Sequence, residues 1–316
     1  MDEQEFVAYL KSKFPFSHGL GIGDDASVVR CGKHFQLISS DILIEDVHFR
    51  LADISQQELA LKALAVNISD IAAMGGRAQY FYLGLGFPSC LSEDDLRLFF
   101  KGLQQGCRKW NVELAGGDYS RANKMSIAIT IIGQCHKPVL RSGARPGDWI
   151  AVTGRTGESA LGLKLLLRGE RVSPFIRKHK LTVPQCEKGI VLAGFANAMI
   201  DISDGLLLDL SRLLRASGTG AEIDYEKIPV SRLFKQVCRQ HHFSEKELVL
   251  AGGEDYQLLF TVSPRRENAL RKTGIVYHII GRITVRRGLR VREGGRPLQV
   301  QRLGFDHFRE NSAGKK

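Results

Sequence analysis

The sequence has no Cys-x-x-Cys pair and no long apolar segment. Its six cysteines are widely separated, a distribution that argues against a zinc site or a disulfide framework and fits the reduced thiols of the cytoplasm. The longest apolar run, residues 127–133, is far shorter than the ~20 residues that span a bilayer. The first ten residues carry acids where a secretory signal needs a basic start and an apolar stretch. We therefore expect a cytoplasmic protein without a membrane-spanning segment.

The usual phosphate-binding signatures are also missing. Gly19, Gly21 and Gly23 form a G-x-G-x-G series that lacks the final spacing of the dinucleotide fingerprint. Neither Gly32-Lys33 nor Gly314-Lys315 is followed by the Ser or Thr of a P-loop, and the H-R-D and D-F-G motifs of protein kinases do not occur. Any nucleotide site in this chain must therefore depend on other groups.

The net charge of +11 is concentrated in the last part of the sequence. Residues 261–316 contain 14 Lys and Arg but only 4 Asp and Glu, so the first 260 residues are close to neutral. Five arginines alternate through a stretch with the pattern of a β-strand: Arg286, Arg287, Arg290, Arg292 and Arg296. Such a run is typical of a solvated face. An RNA-binding or membrane-surface-binding role of this basic tail is the alternative from outside the enzymes, although no nucleic-acid-binding motif accompanies it.

Chain length and the order of predicted elements indicate two domains of the α/β or α+β class. A chain of 316 residues exceeds what one hydrophobic core usually organises. The turn-rich segment 143–148 precedes a predicted strand, Trp149–Thr153, and we place the boundary near residue 138, which gives domains 1–137 and 138–316. Strands and helices mix in both halves without the regular period of a barrel or a Rossmann sheet. We therefore expect mixed sheets flanked by helices.

Four predicted elements matter most for the site. Length and composition predict a helix over Gln56–Met74, ended by the glycine pair that follows. A short strand is predicted over Val112–Ala115. Two helices are predicted in the second domain, over Cys186–Asn197 and Asp204–Ala216.

Acidic residues recur directly after glycine or serine along the chain. Two adjacent acids, Asp24 and Asp25, follow a glycine, and Ser39-Ser40-Asp41 ends the predicted strand Phe35–Ser40. Three further groups follow: Gly116-Gly117-Asp118, Asp201-Ile202-Ser203-Asp204 and Gly252-Gly253-Glu254-Asp255. Glycine lets a backbone approach a ligand closely, and carboxylate and hydroxyl oxygens are the ligands that Mg²⁺ takes. Each group alone is also compatible with a surface turn or a helix cap.

Asp70 is the acid whose position argues most directly for a metal ligand. Only four residues between positions 59 and 74 are polar: Lys62, Asn67, Ser69 and Asp70. The predicted helix is therefore apolar on nearly all sides and should be buried. An unpaired buried carboxylate costs several kcal/mol, so Asp70 must meet a cation, become protonated or accept strong hydrogen bonds. A metal ion and a structural salt bridge both satisfy this requirement.

Seven blocks of sequence connect these acidic groups and cover almost the whole chain. They are Gly21–Val28 (GIGDDASV), Ser39–Phe49 (SSDILIEDVHF), Lys62–Gly75 (KALAVNISDIAAMG), Gly116–Arg121 (GGDYSR), Arg141–Gly154 (RSGARPGDWIAVTG), Ile200–Leu210 (IDISDGLLLDL) and Gly252–Thr261 (GGEDYQLLFT). In this order they resemble the thiamine-monophosphate kinase family. The D-D-A and G-G-D elements are shared with a wider superfamily that resembles the aminoimidazole ribonucleotide synthetases. The combination of the N-I-S-D-I-A-A-M-G, I-D-I-S-D-G-L and G-G-E-D-Y runs is specific to the kinase branch.

The resemblance implies a two-domain fold like that of the aminoimidazole ribonucleotide synthetases, in a homodimer whose N-terminal domains pair. It implies ATP-dependent phosphorylation of thiamine phosphate to thiamine diphosphate, the final step of thiamine diphosphate biosynthesis, with several Mg²⁺ ions. The implied metal ligands are Asp24, Ser39, Ser40, Asp41, Asp70, Asp118, Asp201 and Asp204. The implied ATP contacts are Gly117, Asp118, Arg141 and Ser203, and the implied thiamine phosphate contacts are His48, Glu254 and Phe305.

Two positions next to the implied site depart from the family pattern. Asp46 stands where the family usually has Gly in a V-E-G-V-H-F run. Tyr119 stands where the family usually has Thr.

The implied reaction agrees with the residue types present. The accepting phosphate has a second pKa of about 6, so it is mostly ionised at neutral pH and no general-base or covalent catalytic residue is expected. The reaction is opposed by repulsion between the two phosphates, ~4 kcal/mol for unit charges about 4 Å apart at an effective dielectric of about 20. A carboxylate-rich metal site that aligns the reactants and offsets their charge meets this requirement.

One enzyme alternative is another ATP-using synthetase of the same superfamily, acting on an amide or a selenide. Members with selenide or carbamoyl substrates resemble chains with a reactive cysteine near the start or at the very end. Here the first cysteine is Cys31, and residues 311–316 contain none.

Overall fold

The computed structural model describes residues 3–305, and its first half builds one mixed sheet with three helices. The helices of this half are α1 (Glu3–Lys13), α2 (Gln56–Ala73) and α3 (Glu93–Trp110). The strands are β1 (Gly19–Leu20), β2 (Ser27–Cys31), β3 (His34–Ile44), β4 (Arg77–Pro88), β5 (Glu113–Ala122) and β6 (Ser126–Cys135). They are ordered β1-β2-β3-β6-β4-β5, and all neighbours are antiparallel except β4 and β5.

The second half builds a seven-stranded mixed sheet. Its helices are α4 (Glu158–Leu167), α5 (Pro174–Lys180), α6 (Cys186–Leu192), α7 (Leu206–Ser217), α8 (Arg232–Gln240), α9 (Glu245–Ala251) and α10 (Pro264–Arg271), with a 3₁₀ turn at Tyr225–Lys227. Its strands are β7 (Trp149–Val152), β8 (Ala198–Asp201), β9 (Gly220–Asp224), β10 (Leu258–Val262), β11 (His278–Thr284), β12 (Gly288–Glu293) and β13 (Arg296–Pro297). The order is β13-β12-β9-β11-β7-β10-β8. The proposed domain boundary at residue 138 lies between the two sheets.

Helix α2 lies between the two sheets, which agrees with its apolar sequence. Its N-terminus is closed by a capping box in which Ser55 and Glu58 each accept a hydrogen bond from the other's backbone N–H. Leu64 and Ile71 pack in the core of the first sheet, whereas Ala73 packs in the core cluster under the second sheet. Fourteen of its 18 residues are buried, so the expectation that this helix is enclosed is confirmed.

The predicted strand Val112–Ala115 is too short, because β5 continues through the glycine pair to Ala122. Gly117 pairs with Leu83 in β4, and a Cβ at Gly117 would lie 1.9 Å from the Leu83 carbonyl oxygen. The glycine therefore permits close pairing of two strands and does not end the strand. Asp118, which follows it, is an exposed residue of an edge strand.

Two predicted helix ends also differ from the structure. The helix predicted over Cys186–Asn197 ends at Leu192, where the chain turns to enter β8. The helix predicted from Asp204 begins at Leu206, because the backbone N–H groups of residues 203–205 turn towards the side chain of Asp209. Within the described residues, no helix is both long enough and apolar enough to cross a membrane.

The arginine-rich stretch is part of the second sheet. Arg292 lies 3.0 Å from Glu222, and Arg290 donates to Thr284. Arg286 and Arg287 are exposed in the turn between β11 and β12. Part of the positive charge is therefore compensated within the domain, in agreement with a solvated face.

We predict that Gly117→Ala lowers the free energy of unfolding by about 1–3 kcal/mol, because the new methyl group overlaps the Leu83 backbone. Gly116→Ala is the matched control, since a Cβ at that position meets the Tyr82 ring at an ordinary 3.4 Å. Urea unfolding of both variants tests the prediction, and equal losses for the two would contradict it.

Candidate active site

Three carboxylates from both halves of the chain converge at the junction of the two sheets. Asp25 precedes β2, Asp70 lies near the end of α2, and Asp201 is the last residue of β8. One oxygen from each lies within 4.8 Å of the others. Asp25 and Asp201 are buried, and Asp70 is half-buried. This separation allows the three carboxylates to share a cation.

Two serine hydroxyls hold the carboxylates of this cluster. Ser39 Oγ donates to Asp70 Oδ2 at 2.5 Å, and Ser69 Oγ donates to Asp201 Oδ2 at 2.6 Å. The second bond joins the two halves of the protein, because Ser69 belongs to α2 and Asp201 to β8. Hydroxyl hydrogen bonds to an anion favour its charged form and fix its orientation.

The electrostatics of the cluster favour a bound cation. Burial raises the pKa of Asp70 well above the usual carboxyl range, and the charges of Asp41 and Asp201 add to the shift. Burial likewise raises the pKa of Asp201, with the charge of Asp25 as the next cause. Asp25 Oδ2 is buried and accepts no hydrogen bond from residues 3–305, the part of the chain that the structure describes. A divalent cation would supply the missing partner and relieve the repulsion.

Of the two adjacent acids near the start, Asp25 enters the cluster and Asp24 does not. Both carboxylate oxygens of Asp24 accept the backbone N–H of Arg141, at 3.1 and 3.2 Å. Burial raises the pKa of Asp24 to about 7, and the charge of Asp25 adds to the shift. The Arg141 guanidinium in turn lies 2.7 Å from Asp25 Oδ1. The sequence alone cannot decide between neighbouring acids, since their side chains point in different directions.

The alternation of β3 separates the three residues Ser39-Ser40-Asp41. Ser39 and Asp41 lie on one face of the strand, whereas Ser40 lies on the other and shares a 3.0 Å hydrogen bond with Thr130. The Asp41 backbone N–H donates to Asn67 on α2. Desolvation raises the pKa of Asp41, and the charge of Asp204 from the second half adds to the shift, although the side chain is exposed. The Ser40 hydroxyl and Asp118 are not members of the three-carboxylate cluster.

Asp209, which the sequence did not single out, organises the loop that carries Ser203 and Asp204. Its Oδ2 accepts the backbone N–H groups of residues 203, 204 and 205 at 3.0–3.1 Å. Arg212 bridges Asp204 at 2.5 Å and Asp209 at 2.7 Å. The side chain of Asp209 is fully buried. This arrangement is a carboxylate filling the nest of N–H groups at the start of α7.

The residues expected to contact thiamine phosphate lie in different surroundings. His48 Nδ1 accepts the Ile44 N–H at 3.0 Å, which leaves the proton of a neutral ring on Nε2. Glu254 forms an ion pair with Lys62 at 2.9 Å, and its other carboxylate oxygen lies 3.0 Å from His179 Nδ1. Phe305, at the end of the described chain, donates its backbone N–H to the Asp204 carbonyl at 2.9 Å. Phe305 and Glu254 thus border the loop that carries Asp204.

The structure gives a physical reason for one of the two unusual residues. Asp46 has φ of 65°, a conformation that glycine adopts freely and that aspartate tolerates better than most residues. Its carboxylate lies 3.1 Å from Lys124 in an exposed ion pair. Tyr119 is exposed on β5, with its ring centroid 6.4 Å from that of Phe87. An exposed edge position accommodates either Tyr or Thr.

Tyr256 is a second residue that the sequence did not single out. It is buried, has φ of 49°, and its backbone N–H donates to the Ile202 carbonyl. Burial raises the pKa of its phenol well above the usual value, and the charges of Glu254, Asp41, Asp201 and Asp204 add to the shift. Its phenol therefore stays protonated in the middle of these acids.

Comparison with known proteins identifies the family. A model of the AIR synthase related protein N-terminal domain matches residues 23–135, and one of the corresponding C-terminal domain matches residues 145–294. The thiamine-monophosphate kinase of Escherichia coli (strain K12) is 37% identical over 304 residues, covering 92% of both chains. The chain belongs to the thiamine-monophosphate kinase family. Its relative from Pyrococcus horikoshii is 33% identical and covers 98% of this chain and 97% of its own.

A solved structure of this family has ligands bound. AaThiL complexed with AMPPCP and TMP superimposes with a TM-score of 0.89 at 32% identity, covering 97% of each chain. The fold and domain order of the protein are thus those of the family. The structure of thiamine monophosphate kinase from Aquifex aeolicus matches with a TM-score of 0.81 at 30% identity, covering 94% of this chain and 99% of its own.

We predict that the stability of the metal-free protein decreases as the pH rises above the usual carboxyl pKa of about 4. Because Asp70 and Asp201 have raised pKa values when folded, the native state retains protons that the unfolded chain has already released. The free energy of unfolding therefore falls with pH in this window. Mg²⁺ should counteract the loss, so its stabilising effect should be larger at pH 8 than at pH 5. Urea unfolding with EDTA or with Mg²⁺ measures this, and equal Mg²⁺ effects at both pH values would be the contrary result.

Proposed function

We propose that the protein transfers the γ-phosphoryl group of ATP to thiamine phosphate, giving thiamine diphosphate and ADP. The observation that carries the proposal is the convergence of Asp25, Asp70 and Asp201 at the junction of both sheets, in a chain of which 92% aligns with a thiamine-monophosphate kinase. The family structure with an ATP analogue and TMP supports the choice of both substrates. No group near the cluster needs to act as a general base, because the accepting phosphate is already ionised.

Mg²⁺ is the cation that fits these ligands best. Asp25, Asp70 and Asp201 would hold it, with Asp41 and Asp204 available for further ions, and carboxylate oxygens are the donors that hard divalent cations take. When bound, the metal neutralises phosphate charge and aligns the reacting groups. The hydrogen bonds from Ser39 and Ser69 orient the carboxylates of Asp70 and Asp201, and the second of these bonds joins the two halves of the protein at the site. The ligand roles of Asp24, Ser39, Ser40 and Asp118 remain predictions from the resemblance.

The ATP contacts are proposed from groups at the same junction. The backbone N–H of Ser203 already donates to Asp209, so its hydroxyl is the group left to reach a phosphate. Arg141 holds Asp25, and its buried Nε has no hydrogen-bond partner within the described residues. The Ser203 hydroxyl would donate a hydrogen bond to the triphosphate, and the Arg141 guanidinium would supply positive charge next to it. Gly117 and Asp118 are proposed contacts on the basis of the resemblance.

A homodimer that pairs the N-terminal domains is part of the proposal. The edge strand β5 is almost entirely exposed and carries the exposed large side chains of Leu114 and Tyr119, and Tyr82 of the neighbouring strand β4 is exposed as well. An exposed edge strand with large apolar side chains favours pairing with another chain.

The cytoplasmic location is proposed as well, in agreement with six cysteines that form no disulfide.

The first test is direct. Purified protein is incubated with Mg²⁺, ATP and thiamine phosphate, and thiamine diphosphate is quantified by chromatography. We expect turnover with the wild type and its loss, by at least about a thousandfold, in Asp70→Asn, because a metal ligand at the reacting charge is removed. Circular dichroism should show that the variant is folded. If folded wild-type protein makes no thiamine diphosphate, the assignment is refuted and another synthetase activity of the superfamily is favoured.

The second test separates the two adjacent acids. Asp25→Asn removes a member of the carboxylate cluster, so we expect the Mg²⁺ concentration for half-maximal rate to rise by about tenfold or more. Asp24→Asn is the matched control, because an amide oxygen can still accept the Arg141 N–H. A larger Mg²⁺ shift in Asp24→Asn than in Asp25→Asn would show that Asp24 is the ligand.

A further inference from the structure

We propose that Lys62 is a positioning residue that acts through Glu254. Together with His179, it fixes the Glu254 carboxylate in the orientation that receives thiamine phosphate. This inference rests on the proposed function and concerns how the thiamine phosphate side of the site is built. It assigns a role to a buried lysine whose side chain lies between the two halves of the protein.

The contacts surround Glu254 from both halves of the chain. Lys62 is on α2, and its Nζ lies 2.9 Å from Glu254 Oε1. His179 is on α5, and its Nδ1 lies 3.0 Å from Glu254 Oε2 and 3.1 Å from Ser159 Oγ. The side chain of Lys62 is 2% exposed, that of His179 is 9% exposed, and that of Glu254 is 26% exposed. Of these three side chains, only that of Glu254 therefore has substantial access to solvent.

The backbone of Glu254 is held in an unfavourable conformation by its neighbours. Its φ is 62°, which a non-glycine residue adopts at some cost. Its backbone N–H donates to the Ser203 carbonyl at 2.7 Å, and a Cβ at Gly253 would lie 2.5 Å from the same oxygen. The 252–255 loop thus lies directly against the loop that carries Asp204. Such constrained backbone is typical of ligand-binding loops.

The charge of Glu254 is retained but balanced. Burial opposes ionisation, yet the Lys62 ammonium and His179 lower the pKa of Glu254 below its usual value. Because the ammonium cancels the carboxylate charge, the pair is a poor free counter-ion for a cationic ring. Each carboxylate oxygen still has a second acceptor site, so Glu254 can accept a hydrogen bond from the pyrimidine amino group of thiamine phosphate. Lys62 therefore sets orientation, and the hydrogen bond provides recognition.

The ATP side of the site is held by different groups. The backbone around Ser203 and Asp204 is fixed by Asp209, and Asp204 is further paired with Arg212. Neither of these anchors includes Lys62 or His179. Loss of Lys62 should therefore weaken the use of thiamine phosphate much more than the use of ATP.

The experiment compares steady-state kinetics of the wild type, Lys62→Met, Lys62→Arg and Glu254→Gln in the full-length protein. We expect Lys62→Met to raise the KM for thiamine phosphate by about tenfold or more, the effect of losing one charged hydrogen bond, with kcat and the KM for ATP within about threefold of the wild type. Lys62→Arg should restore much of the loss. The double variant Lys62→Met/Glu254→Gln should be no worse than the poorer single variant, because both changes remove the same contact.

Two other ion pairs between the halves provide matched controls. Arg171 lies 2.6 Å from Asp53, and Arg77 lies 3.8 Å from Glu187, and neither pair includes Glu254, Lys62 or His179. Arg171→Met and Arg77→Met should leave both KM values unchanged. Equal increases of the two KM values in Lys62→Met, or unchanged values in a folded variant, would overturn the proposal. A wild type that makes no thiamine diphosphate would instead count against the proposed function.

Discussion

Mutual repulsion of carboxylates in a poorly solvated place is the constraint on which this structure depends. One carboxylate oxygen each of Asp25, Asp70 and Asp201 lies within 4.8 Å of the others, and burial together with neighbouring carboxylate charges raises the pKa of Asp70 and of Asp201. The fold nevertheless brings them together and orients them with serine hydroxyls. Such an arrangement lowers the stability of the protein as long as no cation balances the charges, and a cation bound between the carboxylates would relieve their repulsion.

Helix α2 is the element that makes this convergence possible. It contributes Asp70 to the cluster, Ser69 to the bond with Asp201, and Lys62 to the ion pair with Glu254. Lys62 and Ser69 are seven residues apart, so two helical turns, or about 10 Å, separate the two polar contacts with the second half. Two separated contacts restrict rotation of one half against the other, and packing of Ala73 in the second core extends this interface. The remaining sides of α2 pack against α3 and the first sheet.

Several of the sequence predictions were confirmed for reasons visible in the sequence. The apolar composition around Asp70 predicted burial on all sides, and α2 lies between two cores. Other predictions placed the end of a strand or the start of a helix wrongly, because a contact outside the local sequence pattern decides where the element ends or begins. Gly116-Gly117 looked like the end of a strand, but Gly117 allows β5 to approach Leu83. The helix expected from Asp204 starts at Leu206, because Asp209 binds the preceding N–H groups.

The sequence by itself determined the family and the type of reaction: glycine–acid groups in a fixed order and the lack of a general-base pattern indicate ATP-dependent phosphoryl transfer. Only the tertiary structure decided which side chains share a site. It brings Asp25 close to Asp70 and Asp201, turns Asp24 towards the backbone of Arg141, and places Ser40 on the opposite face of β3. It also surrounded Glu254 with Lys62 and His179. The reason is physical: composition and spacing report what a segment can bind, whereas the direction of each side chain depends on strand pairing and on packing between segments distant in sequence.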